Sequence, residues 1–158
     1  MNPIHIHLLL NHFPIIGTMI AGVILALGLY QKNTQTQTIA TGIMLVMAII
    51  AIPVMLSGES AEELLEHING ISEPYIELHE QFATVAFWLM ECLGLMSFIS
   101  LVITFRGGNT RFLMISVLSL SAVTSIVMSA TGYYGGQIRH IEIKSNNLIN
   151  SNEKETND

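Results

Sequence analysis

Histidine is the residue type whose placement in this chain suggests chemistry, because its imidazole ring titrates near neutral pH and binds transition metals. Three of the six histidines fall within eight residues, in the stretch HIHLLLNH at the start of a long apolar run, and a proline follows two positions later. The six are His5, His7, His12, His67, His79 and His140. Ionisable rings at the entrance to an apolar segment are candidates for a ligand site.

The elements that must position these histidines are long apolar segments. The chain has 158 residues, of which 51% are hydrophobic and 11% charged, whereas a soluble domain carries about 25% charged residues. Four apolar runs, at 8–30, 38–56, 82–105 and 112–134, are each close to the ~20 residues that cross a bilayer as a helix. We therefore predict an all-α integral membrane protein, a four-helix up-down bundle with spans at about 4–30, 38–57, 74–105 and 111–135.

Two further segments complete the predicted organisation. The stretch SAEE at 60–63 is a capping box followed by an apolar stripe, which predicts a short interfacial helix at about 61–69 between the second and third spans. Residues 1–143 then form the membrane domain. The segment 144–158 is polar and poor in apolar residues, which is typical of a disordered tail.

The distribution of charge predicts which ends of the spans face outward. The loop 31–37 carries Lys32 and the loop 106–111 carries two arginines, whereas the connection 57–80 carries seven glutamates and no lysine or arginine. By the positive-inside rule the basic loops are cytoplasmic. Both termini, the acidic connection and all six histidines would then lie on the periplasmic side of a bacterial inner membrane.

The histidines at the start of the chain differ in their expected roles. His5 and His12 are seven residues apart, which places them on one helix face about 10 Å from each other. His7 points away from that face and is predicted to be a surface residue. Pro14 leaves the Leu10 carbonyl without its helical donor, and in lipid that carbonyl needs a buried position. His12 is therefore expected to face protein, which makes it the best single ligand candidate.

Charged side chains near the other histidines are candidates for supporting roles. Glu63 precedes His67 by four residues and either orients that imidazole or forms an ordinary solvated pair with it. Glu91 lies twelve residues, roughly 18 Å, beyond His79 inside a span. A carboxyl group at that depth is either a proton relay or a structural hydrogen-bonding group. Arg139 would pair with a haem propionate or with the acidic connection.

Two histidines from different helices of such a bundle would hold a b-type haem, because four-helix bundles bind cofactors between facing helices. We predict that His12 pairs with His79. A second pairing of His67 with His140 would bind a second haem, and His5 would be able to replace a partner in either pair. No C-x-x-C-H motif is present in the sequence, which excludes covalent c-type attachment.

A haem held in this way would transfer electrons between membrane quinol and a periplasmic carrier such as a cytochrome. No recognised catalytic motif is present. The chain is therefore expected to act as an electron-transfer protein, or as a subunit of a larger membrane complex, rather than as an independent enzyme.

Two other function classes stay open at this point. The carboxylates of Glu63, Glu77 and Glu80, with His67 and His79, could bind zinc, iron or copper, although the chain has no H-E-x-x-H and no E-x-x-H motif. A cofactor-free structural subunit is the other class. Nucleic-acid binding is not expected, because the net charge is −6 and no basic patch is present.

Three stretches resemble a family of small bacterial four-span membrane proteins: HIHLLLNHFPIIG, SGESAEELLEHINGISEPYIELHE and TGYYGGQIRHIEI. The resemblance covers about residues 3–143, and its specific matches are His12-Phe13-Pro14 and His79-Glu80. Many members have His-Pro near the start, where this chain has His5-Ile6-His7. Some members are joined to c-type cytochrome domains, so the resemblance implies redox work at a membrane.

Overall fold

The computed structural model describes residues 7, 9–65 and 73–155, with side chains described at 7, 9–58 and 76–137. The described part contains four α-helices: α1 His12–Tyr30, α2 Thr34–Leu65, α3 Glu73–Phe105 and α4 Arg111–Glu155. Residues 7, 9 and 10 are also helical, and a turn at Asn11 separates them from α1. Pro14 explains this interruption, because it has no amide hydrogen to donate to the carbonyl of Leu10.

Each helix contains a segment that is long and apolar enough to cross a membrane. These segments are His12–Tyr30, Thr34–Gly58, Ile76–Phe105 and Arg111–Gln137. The predicted all-α fold and its four spans are therefore confirmed, and the chain is a multi-pass membrane protein.

Two segments differ from the sequence-based expectation. α2 continues without a break through residues 61–65, so no separate interfacial helix begins there, and residues 66–69 lie outside the described part. The stretch ESAEELL at 59–65 contains no helix breaker, which explains this continuity. α4 continues to Glu155 where a disordered tail is expected. No glycine or proline follows Gly136, so no helix-breaking residue ends α4 earlier.

The four helices form a ring in which α1 packs against α2 and α4, and α3 packs against the same two neighbours. The helices α1 and α3 are therefore diagonal to each other across the bundle. Short connections join α1 to α2 and α3 to α4, and each contains one residue with a positive φ, Lys32 at 54° and Gly107 at 74°. Both basic loops lie at this end of the bundle, so the histidines of α1 and α3 lie at the opposite end.

The buried positions of α1 recur in α3 at a constant offset of 72 residues. The buried residues of α1 are Pro14, Thr18, Ala21, Leu25 and Gly28. Their counterparts in α3 are Ala86, Met90, Leu93, Ser97 and Ser100, which are all buried. Alternating steps of four and three residues keep one stripe of a helix facing the bundle centre. The two diagonal helices therefore present equivalent faces to each other.

A similar relation connects α2 and α4. Buried Ala40, Met44 and Ala51 of α2 have buried counterparts 77 positions later, at Val117, Ser121 and Met128 of α4. The bundle is thus two similar helical hairpins, α1–α2 and α3–α4, related by an approximate two-fold axis along the bundle. A residue that contacts its own counterpart must lie next to such an axis, as in an isologous interface.

The bundle surface and its interior both suit a lipid environment. Large apolar side chains such as Ile20, Leu95 and Ile126 are more than half exposed on the outside of the bundle. Several buried hydroxyl groups donate to carbonyls of their own helix, whereas Thr18 donates across to Met90 and Oγ of Ser97 has no partner among the described residues. Thr41, for example, donates to the Gln37 carbonyl at 3.0 Å, and Thr124 donates to the Leu120 carbonyl at 2.8 Å. Such bonds let polar side chains lie where no water can reach them.

Candidate functional site

His7 is a partly buried residue at the end of the bundle opposite the basic loops. Its Nδ1 lies 3.0 Å from the carbonyl oxygen of Val54 on α2, and Ser57 Oγ lies 3.4 Å from the same nitrogen. The prediction that His7 is a surface residue is therefore wrong. Its position explains the error, because His7 lies seven residues before Pro14, on the stripe that faces the bundle centre.

His79 occupies the corresponding place on α3. Its side chain is partly buried, and its Nδ1 lies 2.9 Å from the carbonyl oxygen of Thr131 on α4. The offset from His7 to His79 is 72 residues, the same as between the buried stripes of α1 and α3. The two histidines are therefore counterparts under the approximate two-fold relation of the hairpins.

Glycine makes room for each ring on the neighbouring helix. A Cβ atom on Gly58 would lie 3.1 Å from Cε1 of His7, and one on Gly135 would lie 3.1 Å from Cε1 of His79. Each glycine follows the acceptor carbonyl by four residues, which places it one turn along the helix on the same side. In both hairpins the imidazole thus packs against a glycine and donates to the carbonyl one turn before it.

These hydrogen bonds determine which ring nitrogen carries the proton. A backbone carbonyl only accepts, so Nδ1 of His7 and Nδ1 of His79 must each be the protonated nitrogen. In the neutral ring the other nitrogen, Nε2, then carries a free lone pair. Metal-ligating histidines commonly have this arrangement, in which a backbone carbonyl fixes the tautomer and orientation of the ring. In both rings Nε2 therefore has a lone pair that can be donated to a ligand.

The environment of His7 also favours its neutral form. Burial lowers the pKa of His7 below its ordinary value of 6.5, the hydrogen bond to Val54 opposes this shift, and the charge of His79 lowers the pKa further. Proton competition for the His7 lone pair is therefore weak at neutral pH.

Asn11 contributes a polar group to the same end of the bundle. It lies one turn after His7, and its Oδ1 is buried without a hydrogen-bond partner among the described residues. Its counterpart in α3, 72 positions later, is Ala83, so only one side of the site carries this amide. A buried polar atom without a partner is uncommon and is often explained by a group that the structure does not contain.

An aromatic pair borders the site on the α3–α4 side. The rings of Phe82 and Tyr134 stack with centroids 5.2 Å apart and planes inclined by 22°. Phe82 lies one turn after His79, and Tyr134 directly precedes Gly135. Tyr133 packs edge-on against Tyr134, with centroids 5.4 Å apart, and is mostly exposed. This side of the site is therefore apolar, and it ends at the exposed Tyr133 ring.

His12 does not lie on the buried stripe of α1. Its side chain is exposed, so the expectation that it faces the protein is wrong. The seven-residue spacing does place His5 and His12 on one face, but that face is next to the inner stripe and not on it. The predicted pairing of His12 with His79 therefore joins one ring that faces the interior with one that does not.

The remaining predicted site residues are distributed as follows. Glu77 and Glu80 are exposed, and Glu77 accepts a hydrogen bond from Gln81 at 3.3 Å. Glu91 lies at mid-span between α2 and α3. The structure does not describe residues His5 and His67. For Glu63, Arg139 and His140 it describes the helix but not the side chains. The pairing of His67 with His140 stays a prediction.

Sequence reasoning missed His7 and Asn11, although the chain carries a signal for them. The positions 7, 11, 14, 18, 21, 25 and 28 follow steps of four and three, and most of the later members are small or polar. Extending that stripe back from Thr18 through Pro14 would have placed His7 at the bundle centre.

Comparisons of this chain with protein-family models, with curated proteins and with solved structures gave no match. The resemblance drawn from its motifs stays a prediction. The assignment of a function therefore rests on the geometry of the site itself.

Proposed function

We propose that this chain is a membrane redox protein that binds one b-type haem between the imidazole rings of His7 and His79. The observation that carries this proposal is the matched geometry of the rings, each of which uses Nδ1–H for a backbone carbonyl and leaves Nε2 for a ligand. A b-type haem would be held by these two imidazoles and would supply one-electron transfer. Residues on the diagonal helices can approach a planar cofactor from its two sides, whereas adjacent helices are in direct contact.

The number of ligands favours haem over a bare metal ion. Protein zinc sites use three or four protein ligands, whereas haem brings four nitrogens of its own and needs only two. Among the side chains that the structure describes, no group of three or more His, Cys, Asp or Glu residues could hold a metal ion. The described pair of imidazoles thus matches the requirement of a macrocycle better than that of a zinc, iron or copper ion.

Different residues of the chain would bind the haem iron, orient the imidazole rings and contact the edge of the cofactor. His7 and His79 would hold the haem iron through their ring nitrogens, and the carbonyls of Val54 and Thr131 would hold the rings in orientation. The Asn11 amide would hydrogen-bond at the edge of the cofactor, where its Oδ1 has no described partner. Haem, when bound, supplies one-electron transfer between its ferric and ferrous states.

The charge pattern supports an orientation for this protein. With the basic loops in the cytoplasm, the histidine end of the bundle would face the periplasm across a bacterial inner membrane. A haem there would transfer electrons between membrane quinol and a periplasmic carrier, such as a cytochrome or another subunit of a membrane complex. The exposed ring of Tyr133, next to the site, would form part of the surface that meets this carrier.

The proposal is tested by the oxidised-minus-reduced absorbance spectrum of protein expressed with haem available and purified in detergent, with metal analysis of the same sample. We expect a Soret band, a sharp α-band on reduction and about one iron per chain, as a single bis-histidine site requires. A flat spectrum with stoichiometric zinc or copper would assign a His/Glu metal site instead. A flat spectrum without metal would leave a structural subunit.

A further inference from the structure

A groove between α2 and α3 is separate from the histidine site. It has a volume of about 250 Å³ and lies at mid-span, roughly 18 Å along α3 from His79. Its lining side chains are apolar apart from one carboxyl group, that of Glu91. The apolar lining consists of Leu45, Ala48, Ile49 and Ile52 of α2 and Gly94, Leu95 and Phe98 of α3.

The groove opens toward the membrane. Ile49, Leu95 and Phe98 are each more than half exposed, and in a spanning segment such a surface contacts lipid tails. At Gly94 the two helices lie so close together that an added Cβ atom would overlap the Cβ of Ala48. A molecule would therefore enter this groove from the bilayer and would have to be largely apolar.

The carboxyl group of Glu91 determines which chemical group a ligand of the groove must carry. Oε1 of Glu91 is buried and has no hydrogen-bond partner among the described residues. An unpartnered acceptor at this depth costs free energy that a hydrogen-bond donor would recover. The equivalent position in α1, 72 residues earlier, is Met19, so only one of the two related interfaces carries an acceptor. The groove thus combines apolar walls with a single acceptor.

We propose that the groove between α2 and α3 binds the head group of a lipid-soluble hydroquinone, with a phenolic hydroxyl donating to the carboxyl group of Glu91, which lines the groove. A neutral O–H donor enters lipid at far lower cost than an ammonium or guanidinium group. The volume is below the roughly 300–1,000 Å³ of pockets for drug-sized ligands, so it suits a single ring. Phe98 supplies an aromatic wall for that ring. The choice of a redox-active phenol among hydroxyl-bearing lipids rests on the proposed function.

Trp88 provides a local reporter for binding. It is the one tryptophan of the chain, it is 67% exposed, and it lies three residues before Glu91 on the same side of α3. The full-length protein, in phosphatidylcholine vesicles, is titrated with an alkyl hydroquinone that carries bromine on its ring, a heavy-atom quencher. The dimethyl ether of the same compound serves as the matched probe, because it partitions into lipid but has no O–H donor.

We expect the hydroquinone to quench Trp88 with a saturable curve and the ether to quench it weakly and linearly. Glu91→Leu should abolish saturation, Glu91→Gln, which keeps a carbonyl acceptor, should weaken binding several-fold, and Met19→Leu should leave it unchanged. Circular dichroism and size exclusion confirm that each variant is folded. Since Glu91→Leu removes a carboxyl group from a span, we expect it to fold.

Four outcomes would overturn the proposal. Equal quenching by the ether, or saturation that survives in Glu91→Leu, would mean that the hydroxyl–carboxyl contact does not exist. Recovery of Trp88 fluorescence when diacylglycerol without bromine is added at equal concentration would assign the groove to a hydroxyl-bearing lipid. Trp88 fluorescence that changes with the protein-to-lipid ratio but not with the probe concentration would assign the groove to a second copy of the chain. The assay does not monitor iron, so its failure leaves the haem proposal standing, and loss of haem leaves this assay interpretable.

Discussion

Thr18 Oγ1 donates a hydrogen bond to Sδ of Met90, 3.8 Å away, and both side chains are completely buried. The two residues are counterparts in the two hairpins, so their contact locates the approximate two-fold axis of the bundle. His7 and His79 lie eleven residues, roughly 16 Å, before them on their respective helices. A ligand between these histidines would therefore sit on the axis and meet two equivalent imidazole rings.

This relationship predicts which histidines the cofactor needs. His7→Ala and His79→Ala should each remove an axial nitrogen and reduce haem content at least tenfold, whereas His12→Ala should retain it. The measurement is the reduced-minus-oxidised spectrum per mole of protein, with iron analysis. Full haem content in either of the first two variants, or its loss only in His12→Ala, would contradict the assignment.

The glycines beside the rings predict a graded effect. A methyl group on Gly58 or Gly135 would press on Cε1 of the neighbouring histidine at 3.1 Å, and overpacking of this kind costs about 1–3 kcal/mol. Haem affinity in Gly58→Ala and Gly135→Ala should therefore fall by about tenfold. Gly136→Ala is the control, since a Cβ there meets nothing within 4 Å. Haem titration of the three variants distinguishes ring displacement from a general effect of alanine.

Asn11 predicts opposite effects on stability and on binding. In the cofactor-free protein, Asn11→Leu should raise the melting temperature, because it removes a buried acceptor without a described partner that costs about 1–3 kcal/mol. Haem affinity should fall in the same variant, because the cofactor loses a polar contact. Gln35→Leu, at an exposed position in the first turn of α2, is the control for the added hydrophobicity of leucine. A lower melting temperature in Asn11→Leu would show that the amide has a structural partner.

The lowered pKa of His7 predicts an acid-sensitive fold. Because the unfolded chain binds the proton more tightly than the folded one, the contribution of His7 to stability is fully present above pH 6.5. It is lost as the pH falls through the lowered pKa of the folded state. Thermal melts of the cofactor-free protein between pH 7.5 and 5 should therefore fall more steeply for the natural chain than for His7→Gln. Parallel curves would contradict the shift.

The orientation of the bundle predicts which loops a membrane-impermeant reagent reaches. In a Cys92→Ser background, Gln35→Cys places a thiol on an exposed position of the basic end. A charged maleimide added to intact bacterial spheroplasts should leave this thiol unlabelled and should label it after the membrane is opened. Labelling in intact spheroplasts would reverse the proposed topology and place the histidine site in the cytoplasm.

The amino-acid sequence determined the class of this protein, because four runs of about 20 apolar residues have few stable solutions other than spanning helices. It also indicated that the histidines gather at one end, since helices that alternate in direction bring together the segments between them. Pro14 likewise indicated that the Leu10 carbonyl has no helical donor, which is the reason for the turn at Asn11.

Which of His7 and His12 is partly buried against the neighbouring helix was decided only by the tertiary structure. Local spacing places His5 and His12 together, but which face of a helix turns inward depends on the neighbours it packs against. The acceptor carbonyls of Val54 and Thr131 and the spaces at Gly58 and Gly135 lie about 50 residues away in sequence from the rings they position. No local pattern encodes such contacts, because they form only when the helices of each hairpin pack side by side.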